Sequence, residues 1–93
     1  MNIWSGTQEK EYILTVEKEL NENHLVLHND EVNTFDWVIE SLVKVCNHDR
    51  LQAEQCSLIV HHSGKCAVKD GALDDLRPLK EALLERGLSA TID

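Results

Sequence analysis

The chain has 93 residues, of which 42% are hydrophobic and 28% charged. That is enough for one small folded domain and argues against wholesale disorder. A net charge of −8 and a pI near 5.0 repel phosphate backbones, so nucleic acid is not expected as a partner. A cationic partner fits better, and an α-amino group, with a pKa of about 7.7–8.0, is one candidate.

The longest apolar runs, such as Leu25-Val26-Leu27 and Leu58-Ile59-Val60, are far too short to span a membrane. The first residues lack the basic start and apolar stretch of a secretory leader, and a cytoplasmic location is expected. The three cysteines, Cys46, Cys56 and Cys66, are odd in number and form no Cys-x-x-Cys pair. Reduced, buried thiols are expected rather than a disulfide framework.

Residues 1–9 show no periodicity. Residues 10–18 are compatible with a short strand, because Tyr12, Leu14 and Val16 alternate, although Ile13 blurs the pattern. Residues 19–23 are polar and linker-like. His24 to His28 reads as a strand, ended by Asn29-Asp30-Glu31. The clearest helix follows, from about Thr34 to Cys46 or Asn47. Asn33 is its expected N-cap, with Asp36 at N3 and a staple of Val32 on Trp37. Phe35, Val38, Ile39, Leu42, Val43 and Cys46 give it one buried face.

Asp49, with Gln52 three residues on, caps a second helix. Cys56, Ile59 and Val60 carry its buried face, Leu51 helps to start it, and Gly64 stops it. Lys65 to Lys69 is β-compatible, and Asp70-Gly71 marks a break. A leucine stripe at 73, 76, 79, 83 and 84 then reads as a third helix ending at Gly87, in which Pro78 should cause a kink or a delayed start. Leu88 to Ile92 closes the chain as a strand. The order β-α-α-β-α-β predicts a two-layer α+β domain with a three-stranded antiparallel sheet, three helices and a possible extra strand in front. Its core is expected from Leu25, Leu27, Val38, Ile39, Leu42, Val43, Ile59, Leu76, Leu83 and Ile92.

The segment from Asn29 to Phe35 carries the densest chemistry. Acceptors from Asn29, Asp30 and Glu31 crowd the place where Phe35 and Val38 begin an apolar face. Taken alone it is also consistent with a simple capped loop. His61-His62 closes the second helix, where two imidazoles also suit the negative helix pole. Cys46, His48, Cys56, His61, His62 and Cys66 invite a zinc reading, but the closely spaced ligand pairs of a zinc knuckle are missing. No nucleophile elbow or phosphate loop is present, which leaves an enzyme as the weakest reading.

Leu25 to Leu42, followed by Gln52-Ala53-Glu54-Gln55-Cys56 and Val60-His61-His62-Ser63-Gly64-Lys65, resembles the ClpS adaptor family. That family's pattern is an apolar strand, Asn-Asp-Asp or close to it, a Thr-rich turn and an amphipathic helix. A second helix ending in Val-His-x-x-Gly-Lys follows. The likeness is good over residues 23–69 and one of layout over 70–93. It divides the chain into an N-terminal extension, 1–22, and a core domain, 23–93.

The resemblance implies an adaptor, not an enzyme, and needs no cofactor or metal. Such an adaptor binds N-degrons, which are free N-termini bearing Leu, Phe, Trp or Tyr, and delivers them to a Clp AAA+ unfoldase, with the extension engaging the unfoldase. A monomer is the default. Carried over by position, Asn29, Asp30 and His61 would hold the α-amino group and first peptide unit. Glu31 stands where the family usually has a second Asp, and its extra methylene changes its reach. Phe35 stands where a Met usually gates the pocket, and Asn33 where Thr is common. Val38, Ser41, Ser57 and Val60 match the side-chain pocket, and the two small serines imply a roomier slot that tolerates Trp. The alternatives are a protein-interaction domain of this layout without degron binding, such as the ribosomal stalk's C-terminal domain resembles, or a small metal-binding protein.

Overall fold

A computed structural model of the chain describes residues 22–93. The strand expected within 10–18 and nearly all of the extension lie outside the described residues. The described residues form three strands and three helices in the order β1 (Asn23–His28), α1 (Phe35–Cys46), α2 (Arg50–Ser63), β2 (Lys65–Gly71), α3 (Leu73–Glu85) and β3 (Ser89–Ile92). The fold is therefore α+β with the expected element order.

The sheet is antiparallel, in the order β2-β1-β3, so β1 is its centre. This suits its sequence: Leu25 and Leu27 sit on one face and are fully or almost fully buried, as period-two alternation requires. Opposite them, Val68 is the extra residue of a bulge where the β1–β2 register jumps from Leu25↔Lys69 to Val26↔Ala67. The Val68 carbonyl faces His48 Nε2 at 2.6 Å, which ties the α1–α2 connection to the bulge.

Local chemistry sets most element ends. Asp49 Oδ1 accepts from the Gln52 N–H at 2.7 Å and starts α2. Gly64, at φ 92°, ends it in the left-handed region. Helix α3 ends in a Schellman arrangement: Leu88 N–H donates to Leu83 O at 3.0 Å and Gly87 N–H to Leu84 O at 2.9 Å, with Gly87 at φ 82°. Pro78 neither delays nor breaks α3, which begins five residues earlier at Leu73. Its missing N–H deprives only Asp74 O of a helical donor, on an exposed turn.

The start of α1 differs from expectation. Its cap is Thr34, whose Oγ1 accepts from the Trp37 N–H at 3.1 Å. Asn33 is taken up elsewhere, and Val32, 88% exposed, forms no staple. Replacing Thr34 with Ala is expected to cost about 1 kcal/mol of stability, read from the midpoint of urea unfolding, because a helix donor loses its partner.

The core joins Leu25, Leu27, Ile39, Leu42, Leu76 and Leu83 to Cys46, Ala53, Cys56, Val60, Val68, Leu88 and Ala90, with Val38 and Ile92 partly buried against it. Two expected members are corrected. Ile59 is 46% exposed and Val43 36%. On α2 the buried residues are Ala53, Cys56, Ser57 and Val60, the spacing of one helical face, and Ile59 falls one residue off it. Leu51 is exposed as well.

Candidate functional site

Strand β1 delivers the backbone to the rim of a cleft. Just beyond its end, the Asn29 N–H donates to Gly64 O at 2.8 Å. That bond stitches the strand exit to the stop of α2. Groups far apart in sequence, Asn29 and the exposed His61 in the last turn of α2, thereby reach one rim.

Asp30 folds the next residues around itself. Its Oδ1 accepts from Val32 N–H at 3.0 Å and from Asn33 N–H at 2.8 Å. Its Oδ2 accepts from Asn33 Nδ2 at 2.9 Å. The same Nδ2 donates to Gly87 O at 2.8 Å. These two bonds hold the Asn33 side chain toward Asp30 and Gly87, so its oxygen, the atom a cap needs, does not accept from the first turn of α1. Partial burial pushes the Asp30 pKa up. The hydrogen bonds from the Asn33 backbone and side chain and from the Val32 backbone outweigh it and hold the carboxyl below its ordinary value. Asp30 is therefore a carboxylate at neutral pH, and one Oδ2 lone pair is left for a further donor.

The cleft holds about 420 Å³ and is lined by Leu27, His28, Asn29, Asp30, Glu31, Asn33, Phe35, Val38, Ser57, Val60, His61 and Leu88. Hollows of about 450 Å³ beside α3 and about 530 Å³ beside α1 are as large. Size does not single the cleft out; its lining does. Leu27, Val38, Val60 and Leu88 give an apolar floor, and Asn29, Asp30, Glu31 and His61 give a polar rim. Phe35, the first residue of α1 and 41% exposed, stands at the side. Ser57 is nearly buried, and its hydroxyl donates to Ala53 O at 2.7 Å, so its oxygen can only accept from anything entering the cleft.

Nine of the ten residues singled out from the sequence thus line one cavity. Ser41 does not. It is fully buried, donates to Trp37 O at 2.7 Å and accepts from Arg86 Nε at 2.8 Å. Any extra room in the slot rests on Ser57 alone. Arg86 also lies over the Trp37 ring, 4.2 Å from its centre, and its carbonyl accepts from Trp37 Nε1 at 2.9 Å. This knot braces the turn that supplies Gly87 O and Leu88. Sequence reasoning missed Leu27, His28 and Leu88 as lining residues. Only Leu27 carried a usable signal, as the apolar residue two before the acidic segment. His28 lies with Nε2 2.7 Å from Thr91 Oγ1.

Among the described residues no group of three or more His, Cys, Asp or Glu is arranged to hold a metal. No described helix is long and apolar enough to cross a membrane. What the cleft can do chemically is hold a ligand with a cationic, donor-rich end beside an apolar body.

The family model of the ATP-dependent Clp protease adaptor protein ClpS matches residues 18–91. Among solved structures, that of Agrobacterium tumefaciens ClpS2 bound to L-phenylalaninamide is similar, with a TM-score of 0.72 and 21% identity. The likeness covers 80% of this chain and 96% of that one. At that identity it is a likeness of fold. No curated protein matches the chain.

Proposed function

The chain belongs to the ClpS family, and from that premise we propose that it is an adaptor that captures proteins by a free N-terminus with a large hydrophobic side chain. It then hands them to a Clp unfoldase–protease in the cytoplasm. The observation that carries this reading is the meeting, in one cleft, of an apolar floor with the oxygens of Asn29, Asp30 and Glu31 and the imidazole of His61. A protonated α-amine offers three donors and one charge, which suits the ionised Asp30 and its acceptor neighbours. Burying one large apolar side chain on the floor contributes about 1.5–3 kcal/mol. Against the cost of ordering a peptide end, this supports affinity in the micromolar range, on the order of −8 kcal/mol.

The test is a panel of fluorescent peptides varied only at the first residue, titrated by anisotropy. Peptides starting with Phe, Leu, Tyr or Trp are expected to bind, and those starting with Gly, Ser or Asp are not. Indifference to the first residue would leave a domain for protein interaction without degron recognition. His61→Ala is expected to weaken the Phe peptide about tenfold, the worth of one hydrogen bond to a charged group, with an unchanged urea midpoint, since the His61 side chain is exposed. Delivery is assigned to residues 1–22: deleting 1–9 should slow substrate degradation by the unfoldase–protease while peptide affinity holds.

A further inference from the structure

Two of the three thiols meet where α2 packs on β2, outside the polar rim. Cys66 pairs across the sheet with Leu27, and directly paired residues share a face. Leu27 is buried in the core, so the Cys66 side chain points toward the helices, and it is half-buried against that core. Cys56 lies on the buried face of α2, between Ala53 and Val60. Both thiols therefore face the same seam, where α2 packs directly on β2. The Cys66 thiol donates to Ala67 O at 3.5 Å.

We propose that Cys56 and Cys66 form an oxidisable dithiol that closes to a disulfide by exchange with a low-molecular-weight disulfide such as oxidised glutathione. Cys66, the more exposed thiol, reacts first. It gives up its proton to the solvent, its thiolate attacks one sulfur of the small disulfide, the old S–S bond breaks, and the small thiolate that leaves takes a proton from the solvent. Cys56 then gives up its proton to the solvent and attacks Cys66 Sγ. The mixed bond breaks and the second small thiol departs. The protein loses two protons and two electrons, and the small disulfide gains them as two thiols.

The order follows from the surroundings. Burial first, then the neighbouring Cys66, pushes the Cys56 thiol up to about 12, so it does not open the reaction. Cys46 is a buried third thiol, pushed up to about 11 by burial, and takes no part. The bond would close residues 56–66 into a ring containing Ser57, Val60, His61 and Gly64, the α2 wall of the cleft and its stop.

The experiment incubates the full-length, folded protein with oxidised glutathione, quenches with acid, and maps the peptides without reduction. The expected product links the peptides of Cys56 and Cys66, leaves Cys46 free, and reverts with a dithiol reductant. Cys56→Ala should instead accumulate glutathione on Cys66, and Cys66→Ser should form no disulfide. The proposal is overturned by a persistent glutathione adduct on wild-type Cys66, by a bond to Cys46, or by thiols that stay reduced in the folded protein while the urea-unfolded chain reacts. None of these outcomes bears on peptide capture.

Discussion

Acetylating the α-amine of a Phe- or Leu-initiated peptide is expected to weaken its binding by at least about 100-fold. The modification removes the positive charge and two of the three N–H donors while leaving the side chain that fills the floor. Hydrogen bonds between charged partners are worth about 1.5–3 kcal/mol each, so losing two removes about 3 kcal/mol or more, and each 1.4 kcal/mol is tenfold. Competition of acetylated against free peptide in an anisotropy assay reads this directly. Equal affinity would show that the rim of Asn29, Asp30, Glu31 and His61 does not clamp the amine, and that any binding comes from the apolar floor alone.

Replacing Asp30 by Ala should do damage twice over. Three hydrogen bonds hold the turn through this carboxylate, two from backbone N–H groups and one from Asn33 Nδ2. At about 0.5–1.5 kcal/mol each, their loss should lower stability by about 2–3 kcal/mol in urea unfolding. It also releases the Asn33 side chain that reaches Gly87 O. Peptide affinity should fall more than tenfold. Asp30→Asn separates the roles, since it keeps an acceptor oxygen for the turn but loses the charge. Its stability should stay nearer that of the wild type while its affinity falls with that of Asp30→Ala. A variant without the carboxylate that still bound tightly would reduce Asp30 to an organiser of the turn.

The same residue fixes the direction of an acid response. Its pKa in the folded chain is lowered below the ordinary 3.8, so the folded state holds the proton less readily than the unfolded one. The stabilisation is fully present above the unfolded value and is lost as pH falls through the lowered, folded one. Acid unfolding of Asp30→Ala should lack this component.

Features of the fold that depend on neighbours in sequence were legible. Asp49, Gly64 and Gly87 mark helix ends through bonds spanning a few residues, and the Leu25–Leu27 alternation places the central strand. Asn33 shows where such reading fails. By sequence it is as good a cap as Thr34, and what decides between them is a carbonyl at residue 87 that draws the Asn33 amide away. Ile59 fails for another reason: Ile59 and Val60 both follow Cys56 at helical spacing. Ala53 and Ser57, small residues with little hydrophobic signal, decide which of them is buried. In the cleft, the residues contributed by 29–38 and 57–61 could be read because local motifs carry them. The hidden part was tertiary. Ser41 looked like a pocket residue by position, yet Arg86, far along the chain, binds its hydroxyl. Leu88 lines the cleft only because the Schellman turn folds it back.

That turn also bears on when the protein becomes competent. Asn33 and Trp37, near the front of the domain, are anchored to carbonyls at Gly87 and Arg86, and the floor includes Leu88. A chain still emerging from the ribosome has every rim residue long before it has this brace. Because Arg86, Gly87 and Leu88 follow the last rim residue, His61, along the chain, these contacts can form only after the whole rim has been made. A half-made copy therefore presents acidic groups without the floor and the brace that complete the receptacle.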